Sequence, residues 1–276
     1  MSSNRINILM YHQVGDFSPM KNHQSTYIHY KRFASHMAYL AHGGYTVLRL
    51  DQALACLAGQ HPTPPRSVVI TFDDGYENFY EYAWPVLQKY KFPAMVYLIS
   101  GLIGQPAKWF AADGRATPAL MDATRIRQLR KEGVDFGSHG ATHVKLAEQS
   151  TERIAEEMHN SRIALSELLD EDIRHFCYPY GSHDLRCIEA AAQAGYTSAV
   201  TCERAQATPD NDPLALPRKA ISYGDNPIGL FWRMHVKNTP KYPLLQRPGA
   251  KCKNHPALIL PNQSNGEKTN FHFKKH

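Results

Sequence analysis

The stretch Ser67-Val68-Val69-Ile70-Thr71-Phe72-Asp73-Asp74-Gly75 decides how this chain is interpreted. Its β-branched, uninterrupted apolar run predicts a strand that is buried on both faces of a parallel sheet. Such sheets carry their chemistry at the carboxyl ends of the strands, which is where Asp73 and Asp74 stand. Two adjacent carboxylates can divide the roles of metal ligand and general base, although Asp-Gly is also a common turn pair.

A second polar cluster, Gly137-Ser138-His139-Gly140-Ala141-Thr142-His143, follows a short apolar run. Its two histidines are four residues apart, and on a helical turn that spacing puts both imidazoles on one face. With one carboxylate they would form a three-ligand site with an open position, which is typical of a catalytic metal. The chain has 15 histidines, so a pair at this spacing can also arise by chance.

The third cluster is Arg174-His175-Phe176-Cys177-Tyr178-Pro179-Tyr180-Gly181, a strand pattern that runs into a proline and a glycine. Proline removes a hydrogen-bond donor and glycine permits a sharp turn, so the strand is expected to end here. Backbone N–H groups exposed at such an end could hold an oxyanion. Taken alone, the pattern fits an ordinary aromatic strand and turn equally well.

In this order the three clusters resemble the motifs of NodB-type polysaccharide deacetylases, carbohydrate esterase family 4. The first and third match the family's Thr-Phe-Asp-Asp-Gly and Arg-x-Phe-x-Tyr-Pro-Tyr/Phe-Gly at each defined position. In the second, His-Ser/Thr-x-x-His, Gly140 stands where Ser or Thr is usual. The N-terminal strand that ends in Tyr11-His12 is similar to the poly-N-acetylglucosamine deacetylase branch, where it supplies the histidine that other members carry late in the chain.

The resemblance implies an α/β fold, a distorted (β/α) barrel with fewer than eight full units. It implies that Asp74, His139 and His143 bind a divalent metal, most simply Zn²⁺. It also implies that Asp73 is the general base for the attacking water.

Further roles follow from the same resemblance. Arg174 is expected to orient Asp73 and keep it ionised, and the backbone N–H of Tyr180 to hold the oxyanion. His12 is the expected general acid for the leaving amine, with His183 as the next candidate. Apart from the resemblance, three aromatic residues are candidate sugar-stacking surfaces, although core packing explains any one of them as well: Tyr11, Trp109 and Tyr178.

One departure from the family concerns the acid that orients the arginine, which many members carry in an Asp-x-x-Asp-Trp segment. That segment is missing, and the stretch 210–218 resembles the Leu-Pro-Arg segment of the permuted branch. Whether Asp210, Asp212 or Arg218 takes over an orienting role stays open. Their context is more typical of surface loop charges.

Strand and helix patterns alternate up to about residue 236, which predicts one catalytic domain over residues 1–236. The apolar stripe of Ile154, Met158, Ile163 and Leu168, for example, predicts a helix over 151–169. Residues 237–276 are interpreted as a basic, disordered tail because they are rich in Pro, Asn, Ser, Gly and Lys.

The net charge of +6 arises largely in that tail, where six Lys or Arg from Arg247 onward face one Glu. The near-neutral body lacks the interleaved basic and stacking residues of a nucleic-acid groove, so nucleic acid is not an expected partner. Weak contact of the tail with an anionic membrane surface is possible by charge.

The expected location is cytoplasmic, or periplasmic if a leader was removed before this numbering began. No apolar stretch approaches the ~20 residues that span a bilayer, and the first residues lack the apolar core of a secretory signal. Five scattered cysteines without CxxC spacing favour reduced thiols.

The expected reaction is removal of N-acetyl groups from N-acetylhexosamine residues of a polysaccharide or lipid-linked glycan, with release of acetate. One alternative is a deformylase or amidase that acts on another sugar or a small cyclic amide with the same scaffold. Another is a non-catalytic glycan-binding relative. The retained Asp73, Asp74, histidine pair and Arg174 argue against the latter, because binding alone needs no base.

Overall fold

The computed structural model of the protein describes residues 4–20, 22–109, 111, 117–254 and 258. The strands in chain order are β1 (Asn7–Tyr11), β2 (Gln13–Gly15), β3 (Tyr27–His29), β4 (Thr46–Val47), β5 (Ser67–Phe72), β6 (Met95–Leu98), β7 (Asp135–Ser138), β8 (His175–Cys177), β9 (Ser198–Val200) and β10 (Lys219–Ala220). The α-helices are α1 (Tyr30–His42), α2 (Leu50–Leu57), α3 (Trp84–Tyr90), α4 (Ala123–Lys131), α5 (Thr151–Leu169), α6 (Leu185–Gln193) and α7 (Pro227–His235). No helix in the described part of the chain combines the length and apolarity that crossing a bilayer requires.

Eight strands form one curled parallel sheet in the order β10-β1-β5-β6-β7-β8-β9, with β4 paired to the start of β5. Strands β2 and β3 form a separate parallel pair. The predicted distorted (β/α) barrel with fewer than eight full units is confirmed.

Both faces of the sheet are covered, which explains the continuous apolar run of β5. Val68, Ile70 and Phe72 belong to the core between the sheet and the helices, whereas Val69 belongs to a second core on the opposite face. Successive residues of a strand point to opposite faces, so one strand supplies both cores. Each such buried side chain contributes about 1.5–3 kcal/mol to folding.

Helix α5 spans the predicted range, and its ends have identifiable causes. The Ser150 hydroxyl accepts a hydrogen bond from the backbone N–H of Arg153 and caps the amino end, and Asp170 ends the helix in a left-handed conformation. Ile154 and Met158 of the predicted stripe are fully buried, whereas Ile163 is 42% exposed.

The parallel arrangement brings the ends of distant strands together. β1 pairs with β5 in a register that places Tyr11 opposite Phe72, so His12 and Asp73 follow side by side. His139 follows β7 at the same edge of the barrel. The predicted position of the N-terminal strand beside the strand that carries Asp73 is confirmed.

The first part of the predicted tail lies against the barrel. The guanidinium of Arg247 donates two hydrogen bonds of 2.8 Å to the buried Asp212 carboxylate, and Cys252 is fully buried. The predicted disorder is therefore wrong for residues 237–254, because charged and apolar side chains of this stretch find partners on the barrel. Apart from Leu258, the rest of the predicted tail lies outside the described residues.

Candidate active site

A cavity of about 420 Å³ opens at the carboxyl ends of the strands. Two carboxylates and four imidazoles line it: His12, His23, Asp73, Asp74, His139 and His143. The side chains of Trp109 and Tyr180 contribute to its walls. Clustering of titratable groups at this edge is the arrangement expected of a catalytic barrel.

Asp74 lies between the two imidazoles of the second cluster. Its Oδ1 is 3.3 Å from Nε2 of His139 and 3.3 Å from Nε2 of His143, and all three side chains are buried. Burial raises the pKa of the Asp74 carboxyl, but its hydrogen bonds with the two histidines outweigh this and hold the pKa well below its ordinary value. One carboxylate oxygen and two ring nitrogens that face a common point fit a divalent metal, because their number and chemistry are those of a catalytic zinc site.

The two histidines reach Asp74 from a loop, so the expected helical turn is wrong. Residues 139–143 form no helix; Gly140 has a φ of 80° and His143 a φ of 60°, and these left-handed residues fold the loop over the strand end. His139 is oriented by a hydrogen bond of 2.8 Å between its Nδ1 and the carbonyl oxygen of Cys177. Burial lowers the pKa of His139, but the neighbouring Asp74 carboxylate outweighs it and the pKa is raised.

Asp73 forms a buried, two-pronged ion pair with Arg218. Nη1 and Nη2 of Arg218 donate to Oδ1 and Oδ2 of Asp73, both at 2.7 Å. Burial raises the pKa of the Asp73 carboxyl, but the guanidinium outweighs it and the pKa is lowered, so the carboxylate is ionised at neutral pH.

The interpretation of Arg218 as a surface loop charge is wrong. Its side chain is fully buried, and its Nε donates to the carbonyl oxygen of Thr201 at 2.9 Å. Arg218 directly precedes β10, which pairs with β1 at the edge of the barrel, and this pairing carries it under the strand ends. Asp210 does lie on the surface, where it pairs with Lys251 and Lys253.

Arg174 does not reach Asp73. Its Nη2 donates to Asp51 Oδ2 at 2.7 Å, and Asp51 Oδ1 is also 3.2 Å from Nε2 of His175. The expected orienting role of Arg174 is wrong because a parallel strand runs from the floor of the barrel to the site. A residue that precedes β8 therefore lies at the floor, whereas the residues that follow β8 lie at the site.

His12 opens into the same cavity as His139, as predicted. Its Nε2 is 3.9 Å from Asp73 Oδ2, and its side chain is 14% exposed. Burial lowers the pKa of His12, and the nearby Asp73 and Asp74 carboxylates oppose that shift without cancelling it, so the pKa lies below its ordinary value. His183, the second candidate acid, instead bonds the carbonyl oxygen of Gly181.

Two of the three aromatic residues expected to stack on sugar lie outside the cavity. Tyr11 and Tyr178 are buried in the core under the helices, where each hydroxyl group forms a hydrogen bond. Alternation along the strands is the reason, because His12 and Cys177 face the interior of the barrel and their neighbours face the helices. Trp109 does line the cavity.

Tyr180 lies at the mouth of the cavity. Its side chain is 46% exposed, and its backbone has a φ of 58°, in the left-handed region. The ring centroids of Tyr180 and Trp109 are each 4.5 Å from that of His143.

Comparisons with known proteins agree with this geometry. The family model described as polysaccharide deacetylase matches residues 60–199. The Bacillus subtilis protein YxkH, whose name refers it to the polysaccharide deacetylases, is 27% identical over 220 residues, 80% of this chain and 72% of that protein. A Staphylococcus aureus poly-β-1,6-N-acetyl-D-glucosamine N-deacetylase is 28% identical over 170 residues, 58% of this chain and 56% of that enzyme. The matched region is thus little more than half of the staphylococcal enzyme.

Among solved structures, the Streptococcus pyogenes deacetylase PplD in complex with acetate superposes with a TM-score of 0.72 and 25% identity. The superposition covers 84% of this chain and 98% of that one. Because the family model matches half of the chain and the barrel carries Asp73, Asp74, His139 and His143 at one edge, this chain belongs to the polysaccharide deacetylase family and is a deacetylase of the hydrolase class.

Proposed function

We propose that this deacetylase removes N-acetyl groups from N-acetylhexosamine residues of a glycan by metal-assisted hydrolysis. The observation that carries the proposal is the contrast between two adjacent carboxylates in one cavity. Asp73 is paired with a guanidinium and Asp74 with two imidazoles. Hydrolysis of an amide needs both a base and an electrophile, and these two environments supply a place for each.

Asp74, His139 and His143 are the proposed ligands of a divalent metal, most simply Zn²⁺. Three protein donors leave an open position for the reacting groups. When bound there, such an ion supplies Lewis-acid chemistry toward the acyl oxygen and the attacking water.

The other residues of the cavity move the protons. Asp73, kept ionised by Arg218, accepts a proton from the attacking water, and the backbone N–H of Tyr180 donates to the oxyanion. His12 donates a proton to the leaving nitrogen, which departs as the free amine. Since His12 Nε2 lies 3.9 Å from Asp73 Oδ2, the proton gained by Asp73 can return to His12 after acetate leaves.

The cavity favours a sugar amide as the substrate. Its volume of about 420 Å³ suits one sugar residue and its acyl group, and the Trp109 and Tyr180 rings give it apolar walls on which a sugar can stack. The likeness to an enzyme named for poly-β-1,6-N-acetyl-D-glucosamine supports an N-acetylglucosamine glycan. A deformylase or amidase on the same scaffold is the competing function.

Acyl release from a panel of oligosaccharides tests this function. We expect acetate from β-1,6- and β-1,4-linked N-acetylglucosamine oligomers, and far less formate from N-formyl analogues or product from a cyclic amide. Chelation should abolish the reaction. His143→Ala should lose bound metal and activity together while its circular dichroism stays unchanged. Faster release of formate, or oligomer binding without turnover, would contradict the proposal.

The second prediction concerns the base and its partner. Asp73→Asn should keep bound metal but lose roughly 10²–10⁴ of kcat, the usual contribution of general acid–base catalysis. Arg218→Lys should lower kcat by roughly tenfold or more, because an ammonium group cannot form the two-pronged pair. Steady-state rates and metal analysis of each purified variant provide the measurement.

Arg174→Lys is the matched control for Arg218→Lys. It makes the same change in an arginine that binds Asp51 at the barrel floor, so kcat should stay within about twofold of the parent enzyme. A large loss of kcat in Arg174→Lys, with little change in Arg218→Lys, would mean that Arg174 orients Asp73 as first expected. Loss of metal in Asp73→Asn would mean that Asp73 and Asp74 have exchanged roles.

The third prediction concerns His12. His12→Ala should retain metal and substrate binding but lose roughly 10²–10⁴ of kcat. The fall of kcat/KM at alkaline pH should shift or vanish, because the acid whose deprotonation causes it is absent. His183→Ala is the control and should keep the parent profile. An unchanged pH profile in His12→Ala, with a changed one in His183→Ala, would transfer the acid role to His183.

A further inference from the structure

The loop between the two histidines directs its backbone N–H groups toward a buried carboxylate on α5. Glu157 is 1% exposed, and its Oε2 accepts hydrogen bonds from the N–H groups of Ala141 at 2.8 Å and Thr142 at 2.9 Å. Its Oε1 accepts from the Thr142 hydroxyl and from Nη2 of Arg153, the latter at 2.6 Å. These four donors compensate the loss of water around the carboxylate.

The same loop is held on its other side through its carbonyl groups. The N–H groups of Ser100 and Gly101 donate to the carbonyl oxygens of Gly140 at 3.1 Å and Ala141 at 2.9 Å. A Cβ atom on Gly101 would lie only 2.6 Å from the Ala141 oxygen, so this close approach requires glycine. The path of the loop is therefore set by groups outside it.

The two histidines differ in how their rings are oriented. Nδ1 of His139 bonds the carbonyl oxygen of Cys177, the kind of contact that normally fixes a metal-ligating imidazole. Nδ1 of His143 is buried and has no hydrogen-bond partner among the described residues. Apart from the contact of its Nε2 with Asp74, the position of His143 thus depends on ring contacts with Trp109 and Tyr180 and on the backbone that carries it.

Gly140 makes room for the carboxylate. This residue stands where the family motif usually has Ser or Thr, its φ is 80°, and a Cβ atom on it would lie 3.2 Å from Glu157 Oε2. A side chain at this position would crowd Glu157. The departure from the motif and the buried glutamate are therefore parts of one arrangement.

We propose that Glu157 is a positioning residue that holds the loop 140–142 and thereby directs His143 toward Asp74. The inference rests on the proposed metal site, and it assigns Glu157 no contact with substrate or metal. Its consequence is that affinity for the metal depends on a carboxylate outside the ligand set.

Glu157→Gln tests the proposal, because it keeps the shape but replaces one acceptor oxygen by an NH₂ group that faces other donors. Affinity for Zn²⁺, measured by competition with a chromophoric chelator, should fall roughly 10–100-fold, the usual effect of losing an outer-shell partner. Glu156→Gln is the matched control. Glu156 is the neighbouring carboxylate and also bonds Arg153, at 3.2 Å, but it is 58% exposed, so its loss should leave Zn²⁺ affinity unchanged.

A Glu157→Gln protein with lower thermal stability but the Zn²⁺ affinity of Glu156→Gln would overturn the proposal, because the role would then be structural only. If Glu157→Gln fails to fold, Gly140→Ala replaces it, since its Cβ crowds Glu157; unchanged Zn²⁺ affinity in Gly140→Ala would overturn the proposal equally. If the unaltered protein binds no Zn²⁺ in this competition, the proposed metal site itself is wrong. Failure of the metal site can therefore be told apart from failure of the role proposed for Glu157.

Discussion

The buried ion pair between Asp73 and Arg218 is the constraint on which the site depends. Its partners are 145 positions apart in the chain, and the pairing of β1 with both β10 and β5 brings them together. A buried carboxylate without a partner costs several kcal/mol, so the pairing lets an ionised carboxylate lie at the end of a strand that is buried on both faces. The order of the strands thus keeps the proposed base charged.

The pair also explains how adjacent identical residues come to differ. Asp73 continues the alternation of β5 and points inward to Arg218, whereas Asp74 has a φ of 75° and turns toward His139 and His143. Both carboxylates have a lowered pKa, but one is held by a cation that cannot give up its proton and the other by two imidazoles that can bind a metal. Environment, rather than residue type, separates the two proposed roles.

The barrel and the polar residues at the strand ends could be predicted from the sequence, because both leave local patterns. A parallel sheet then brings the residues that follow its strands to one edge. The predictions were wrong where the result depends on the direction of a strand or on which face of the sheet a strand residue points to. Arg174 precedes its strand and so lies at the floor, and Tyr11 and Tyr178 alternate with residues that face the cavity. Arg218 could not be placed because no local pattern reports a contact between residues 145 positions apart. Glu157 could have been noticed in the sequence, because it is a carboxylate on the buried face of α5, beside Ile154 and Met158.

The most direct test of the account is X-ray absorption at the zinc edge of the metal-loaded protein. The account predicts a shell of nitrogen and oxygen atoms only, at about 2.0–2.2 Å, from Asp74, His139 and His143. A second buried group of possible ligands, Asp73, His139 and Cys177, lies beside the first. A sulfur atom at about 2.3 Å would show that the metal occupies this second group, with Asp73 as a ligand instead of the base, and would contradict the account.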